Sequence, residues 1–254
     1  MNTQTKIALV TGGSRGLGKN SALKIAEKGL DVIITYKNSQ EEAEAVVKEI
    51  QSMERKAIAF QLDTTDTKSF DAFVQNVTNH LKENTGSPNI DFLINNAGTA
   101  LYSPIMETTE EKMDEMFSIH FKGVFFLSQK LLPFMNEGGG IINISSGLAR
   151  FALPGSSVYG SMKAAVEMLT KYMAKELGPR KIKANVVAPG AIETDFGGGR
   201  TRDDKQVNAT IASATALGRV GLPDDIGGVV AFLCTEDARW INAQRIEASG
   251  GMFL

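Results

Sequence analysis

The run Ile7-Ala-Leu-Val-Thr11-Gly12-Gly-Ser14-Arg15-Gly16-Leu17-Gly18 decides the fold. A short apolar run that breaks at closely spaced glycines reads as a buried strand entering a tight turn. Residues 19–28 follow as a helix closed by Gly29, and Asp31-Val-Ile-Ile-Thr-Tyr36 is a second apolar strand. Together they form one βαβ unit with its glycines at the first strand-to-helix turn. At such a turn the backbone can approach a pyrophosphate closely, and the helix N-terminus offers unpaired N–H groups to the anion. The spacing Gly12-x3-Gly16-x-Gly18 departs from the common G-x-G-x-x-G. The strand before and the helix after it therefore carry the reading of a dinucleotide site, with a plain tight turn as the alternative.

Outward from this unit the pattern repeats. Strand-like runs lie at 57–62, 90–94, 141–144, 182–188 and around Arg245-Ile-Glu-Ala, alternating with helical stretches at 40–53, after a cap at Thr65 or Asp66, at 107–135, around Tyr159 and after Pro223. This alternation predicts an α/β fold: a single-domain, Rossmann-type, doubly wound parallel sheet with helices on both faces. Residues 193–215 break the pattern with a glycine-rich polar stretch, either a substrate lid or an ordinary surface excursion. In the 107–135 helix, apolar residues from Met113 to Leu131 recur near helical spacing, as core or as a subunit contact. The apolar C-terminus, Met252-Phe-Leu254, is expected to pack at an interface.

The formal net charge of −2 excludes a general nucleic-acid or membrane-surface binder. No run reaches the roughly 18 apolar residues of a membrane span, and residues 1–6 show no leader, so the expected location is the cytoplasm. Cys234 is the single cysteine and sits in an apolar run, as a buried small hydrophobe.

The residues after the second strand bear on the cofactor. A carboxylate there would bind ribose hydroxyls and repel a 2′-phosphate. This chain has Tyr36-Lys37-Asn38-Ser39, and Arg15 lies in the glycine loop. Two cations without an acid favour NADP(H). Asp63 closes the third strand, where it could accept from an adenine amino group. In Asn95-Asn96-Ala97-Gly98 the amides can brace a turn, and the small residues leave room for a cofactor. The run Ile141-Ile-Asn-Ile-Ser145-Ser146 delivers two hydroxyls at a strand end, and Tyr159 and Lys163 share one helix face. A phenol beside an ammonium is a tuned acid. Serine, phenol and lysine could together polarise and protonate a carbonyl.

These residues resemble the short-chain dehydrogenase/reductase family. The resemblance rests on Thr11-Gly12-x3-Gly16-x-Gly18, Asp63, Asn95-Asn96-Ala97-Gly98, Ser146, Tyr159-x3-Lys163 and Pro189-Gly190-x-Ile192-x-Thr194, and it covers essentially the whole chain. The twelve residues between Ser146 and Tyr159 select Ser146 over Ser145. The closing Gly218-Arg-Val-Gly-Leu-Pro and Gly250-Gly251 are similar to 3-oxoacyl-carrier-protein reductases and related ketoreductases. The resemblance implies hydride delivery from NADPH to a small-molecule carbonyl, or the reverse from an alcohol. Ser146 would bind the carbonyl oxygen, Tyr159 would donate the proton, and Lys163 would lower the Tyr159 pKa and hold the nicotinamide ribose. Pro189, Gly190, Ile192 and Thr194 would hold the carboxamide end. It also implies a homotetramer. Where the family usually has asparagine, this chain has His120, which either keeps a proton relay and titrates near neutrality or is a core histidine. The rival readings are an NAD-linked secondary alcohol or sugar dehydrogenase and a dinucleotide-binding redox sensor. Carrier-protein dependence would need a basic patch, with Lys122, Lys130, Arg150, Arg200 and Arg202 as candidates.

Overall fold

Each central strand carries apolar side chains on both faces, because successive residues of a strand point to opposite sides. In the computed structural model, which describes residues 5–254, Ala8, Val10, Val32 and Ile34 pack to one side of the sheet. Ile7, Leu9 and Ile33 pack to the other. A strand buried on both faces belongs in a parallel sheet covered by helices on each side. That is what the chain forms: β1 (Ile7–Val10), β2 (Asp31–Tyr36), β3 (Ala57–Gln61), β4 (Ile90–Asn95), β5 (Met135–Ile144), β6 (Lys183–Pro189) and β7 (Arg245–Ala248), in the order β3-β2-β1-β4-β5-β6-β7. All neighbouring pairs are parallel.

One face is covered by α1 (Gly16–Glu27), α2 (Gln40–Gln51) and, late in the chain, α9 (Asp224–Leu233), through Ile25, Val46, Ile50, Ile226 and Val230. The other carries α3 (Phe70–Thr85), α5 (Gly123–Leu131) and α6 (Ser157–Leu177), through Phe70, Val77, Leu127, Leu131 and Met173. Asp66, not Thr65, caps the helical turn before α3 by accepting from the Lys68 N–H. The strand order reverses between β1 and β4, which opens a crevice at the strands' C-terminal ends. Cys234 is buried, and burial pushes its thiol up to about 12. No described helix is long and apolar enough to cross a membrane. The reading of residues 1–4 as free of a leader lies outside the described residues.

The single helix expected over 107–135 is three pieces: α4 (Glu110–Phe117), a π-helical turn (Ser118–Lys122) and α5. Its apolar stripe divides accordingly. Met116, Leu127 and Leu131 are core, while Met113, Phe117 and Phe125 stay exposed. β5 begins at Met135 instead of Ile141, because Met135 pairs with Ile90 before a register shift sets Gly140 against Phe92. Ala243, where the resembled family has glycine, holds φ +57. Left-handed backbone costs an L-residue roughly 1–2 kcal/mol. Its N–H donates to the Ala184 carbonyl, which ties the turn before β7 to β6.

After β6 the chain leaves the sheet through Gly197, Gly198 and Gly199, all with positive φ, into α7 (Arg200–Asp203) and α8 (Lys205–Ser213). The C-terminal residues turn back onto the same chain. Met252 is buried, Phe253 packs edge-on against Phe151 at 4.7 Å, and Leu254 alone is fully outside. The tail thus finds its apolar partner within the subunit.

Candidate active site

The glycine loop owes its shape to a close approach. A Cβ on Gly18 would lie 2.1 Å from the Gly12 carbonyl oxygen, so α1 can begin directly beside β1 only with glycine there. Thr11 and Asn96 lock this turn. The Thr11 hydroxyl accepts from the Asn96 and Ala97 N–H groups, and the Asn96 amide donates to the Thr11 and Gly12 carbonyls. Asn95 donates to Asn143 on β5 and to Ser128. The first turn of α1 has no side-chain cap, so its N–H groups are available where they open on the crevice.

Every site residue named from the sequence lines one continuous cleft of about 1230 Å³. Gly12, Ser14, Arg15, Gly16, Leu17, Gly18, Tyr36, Lys37, Asp63, Asn96, Ala97, Gly98, His120, Ser146, Tyr159, Lys163, Pro189, Gly190, Ile192 and Thr194 all line it, with Thr194 close to Gly16 and Gly98 close to His120. The volume exceeds the roughly 300–1,000 Å³ of a usual small-molecule site. Uncapped N–H groups at one end and this volume fit a dinucleotide with space for a second molecule.

One expectation about the cofactor end needs correction: the two cations do have an acid beside them. β2 and β3 pair with Tyr36 opposite Gln61, so their ends lie side by side. Lys37 reaches Asp63 at 2.8 Å. Burial would raise the Asp63 pKa, but the bonds from Lys37 and Thr65 outweigh it and hold the carboxyl below its ordinary value. Arg15 remains exposed and makes no ion pair among the described residues.

At the catalytic end the two serines separate. The Ser145 hydroxyl donates to Glu167 at 2.6 Å, whereas the Ser146 hydroxyl sits at the turn after β5 and accepts from the Leu148 N–H. Tyr159 and Lys163 are both buried on α6. The Lys163 ammonium lies 5.6 Å from the Tyr159 ring centroid and donates to the Ile144 carbonyl at 2.8 Å. Burial pulls Lys163 down to about 8. Burial also raises the Tyr159 phenol above its ordinary value, with a hydrogen bond to Ser146 acting the other way. Ser146, and not the Lys163 expected from the sequence, is the group that opposes burial at Tyr159; the Lys163 ammonium is directed at the Ile144 backbone carbonyl.

Of the two readings of His120, the buried histidine fits and the one that titrates near neutrality does not. It is buried in the π-helical turn, edge-on to Tyr159 at 5.1 Å. Its Nε2 lies 2.8 Å from the Thr99 carbonyl, which can only accept, so Nε2 carries the proton. Nδ1 is then an acceptor, buried without a protein partner. Burial, aided by the Lys163 charge and opposed by the Thr99 bond, takes the imidazole from 6.5 to about 3. The ring is neutral at ordinary pH and does not titrate near neutrality.

This has a measurable consequence. Unfolded His120 takes up a proton below about pH 6.5, and the folded site refuses it until about pH 3. Stability present above the first value is lost as pH falls toward the second. The loss is at most ~1.4 kcal/mol per pH unit, on the order of 2 kcal/mol by pH 5. His120→Asn should remove that share of the acid sensitivity in urea denaturation at pH 7.5 and pH 5. Identical losses in the two proteins would refute the buried neutral imidazole.

Sequence reasoning missed the polar ladder behind Ser146. Arg245 on β7 pairs with Glu167 at 2.8 Å and with Glu247 at 2.6 Å, and donates to the Ser146 carbonyl. Arg150 grips Glu247 and the Met252 and Phe253 carbonyls. The only signal was that Glu167 lies four residues after Lys163, on the same face of α6. Of the basic patch considered for a carrier protein, Lys130 is paired with Asp71, Arg150 with Glu247, and Arg202 with Asp195 and Asp203.

Comparison with known proteins gives a consistent pattern. A family model described as enoyl-(acyl carrier protein) reductase matches residues 12–253. The chain is 38% identical to an uncharacterized oxidoreductase of Methylorubrum extorquens, over 97% of each chain. Among solved structures it resembles a short-chain dehydrogenase/reductase from Serratia marcescens, with a TM-score of 0.91, 33% identity and 99% of each chain covered. It also resembles the angucycline C-6 ketoreductase LanV with bound NADP, with a TM-score of 0.93, 36% identity and 98% and 96% covered.

Proposed function

Because the chain belongs to the short-chain dehydrogenase/reductase family, we propose that it is an NADPH-dependent carbonyl reductase that converts a ketone or 3-oxoacyl (keto ester) group to a secondary alcohol. The observation that carries this reading is the convergence of Ser146, Tyr159 and Lys163 on the cleft whose other end is the glycine loop. When bound, NADPH supplies the hydride. The Ser146 hydroxyl donates to the carbonyl oxygen and orients it. The Tyr159 phenol donates its proton to that oxygen as charge develops there. The Lys163 ammonium favours the phenolate left behind, and its bond to Ile144 fixes its position. His120 supports the Tyr159 ring from the edge and offers Nδ1 as an acceptor, as an uncharged positioning residue. Pro189, Gly190, Ile192 and Thr194 hold the carboxamide end of the cofactor.

Residues 193–215 act as a substrate lid in this reading, supported by the three consecutive left-handed glycines at its start. Faster amide exchange there without ligand than with NADPH and ketone would test it. A homotetramer is supported by Met113 and Phe117 on α4 and Met168 and Tyr172 on α6, exposed at four-residue spacing. Light scattering reads that state directly.

NADP(H) preference is supported by Arg15 and Lys37 at the cleft's far end, and the LanV structure holds NADP. Since Asp63 already neutralises Lys37, Arg15 should carry more of the preference. Initial rates with saturating ketone should favour NADPH over NADH. Arg15→Ala should shrink the kcat/KM ratio by roughly tenfold, the loss of one charge-assisted contact. A wild-type preference for NADH would favour the NAD-linked dehydrogenase instead. Absence of ketone-dependent NADPH oxidation would leave a dinucleotide-binding sensor.

A further inference from the structure

We infer that the carbonyl compound this cleft takes is an uncharged ketone on a flat ring system, and not an anionic or carrier-tethered chain; the inference rests on the reductase reading above. Three aromatic side chains from separate parts of the chain line the cleft that holds Tyr159. Phe196, at the start of the 193–215 segment, lies 5.9 Å from the Tyr159 ring at a tilt of 56°. Phe151 lies flush on Gly147, just after Ser146, where a Cβ would fall 2.7 Å from its ring. Phe253 packs edge-on against Phe151. Tyr102 lies flush on Gly155, where a Cβ would fall 2.3 Å from its ring. Packing against glycine fixes two of these rings, yet Tyr102 and Phe196 remain 67% and 46% exposed. Tyr102 is both held by backbone and left uncovered, and with the exposed Phe196 it suits a flat partner that meets such rings by stacking or edge contact.

The charges agree with this. Apart from Arg15, Lys37 and Asp63 at the cofactor end and Lys163 beside Tyr159, the charged side chains lining the cleft are Glu115, Asp195 and Arg202. Arg202 is taken up by Asp195 and Asp203. A carboxylate or phosphate arriving at Tyr159 would find one cation without an ion pair, the buried Lys163, whose ammonium already donates to the Ile144 carbonyl, and would face the carboxylates of Glu115 and of the Arg202 cluster, which offset little of an anion's lost hydration. A neutral ring ketone pays no such penalty.

The test uses the full-length protein with NADPH and three probes: β-tetralone (neutral and flat), ethyl acetoacetate (neutral and open-chain) and acetoacetyl-CoA (anionic thioester). The expected kcat/KM for β-tetralone is at least tenfold above either of the others. Phe196→Leu keeps an apolar side chain at an exposed position and so leaves folding intact. It should lower the β-tetralone to ethyl acetoacetate ratio by about tenfold, chiefly through KM. Acetoacetyl-CoA as the best probe, or equal loss on both neutral ketones in Phe196→Leu, would overturn the ring assignment while leaving a carbonyl reductase. No oxidation of NADPH with any probe, in protein that enhances NADPH fluorescence on binding, would overturn the reductase reading and this inference with it.

Discussion

Tyr159→Phe should lower kcat for ketone reduction by roughly 10²–10⁴-fold, the usual worth of a positioned general acid. The substitution removes a single oxygen. Tyr159 is buried, and its ring packs against His120 and Phe196. Phenylalanine keeps those contacts, so the fold and the cofactor end of the cleft should be unaffected. Burial already favours the protonated phenol in the resting site, which is the form a reductase needs at the start of its cycle. The tyrosine need not be acidic beforehand; it must lose its proton only as the carbonyl oxygen gains charge, with Lys163 beside it. NADPH affinity, followed by fluorescence titration, should stay within a few-fold while single-turnover hydride transfer collapses. Comparable turnover in the variant would remove Tyr159 as the proton donor and point to Ser146 or a solvent path.

A second large effect is expected at Gly18. An alanine Cβ there would lie 2.1 Å from the Gly12 oxygen and 2.5 Å from the Asn96 amide nitrogen. No rotamer choice relieves a Cβ clash with backbone. The loop must move, and the Asn96 bonds to Thr11 and Gly12 must give way with it. Overpacking of this kind costs about 1–3 kcal/mol, and the shifted N–H groups no longer face an anion as before. Gly18→Ala should therefore lose that much in urea denaturation and weaken NADPH binding by at least about tenfold. Gly228→Ala is the control. Gly228 lies within α9 with nothing in reach of its Cβ, so alanine there should gain up to about 1 kcal/mol. Wild-type NADPH affinity in Gly18→Ala would mean that the turn does not hold the pyrophosphate.

What could be read from the sequence was what local patterns encode. The bounds of β2 and β7 coincide with the strand-like runs read from the sequence, because those runs are short and local. Asn96 braces the loop, as its amide chemistry suggested. Hidden from the sequence were pairings that only strand order creates. Lys37 and Asp63 are 26 positions apart in the chain yet adjoin, since β2 and β3 are parallel neighbours. Arg245 reaches Ser146 because β7 lies beside β6, which lies beside β5. The state of His120 was equally invisible, because its pKa reflects how much water burial takes away and not residue type. The aromatic walls were missed for the same reason: Tyr102, Phe151 and Phe196 occupy unrelated places in the chain.

The π-helical turn at Ser118–Lys122 has a geometric corollary. An α-helix advances about 100° per residue, and a π turn accommodates an extra residue without ending the rod. It works as a phase shifter between two stretches that answer to different neighbours. On its N-terminal side Met116 is oriented by the core, and on its C-terminal side Leu127 and Leu131 lock into α3 and the sheet. Between them His120 is turned toward Tyr159 without either stretch losing its footing. The rod therefore divides its labour, with the ends bearing the load of the fold and the slack of a single residue left for the chemistry.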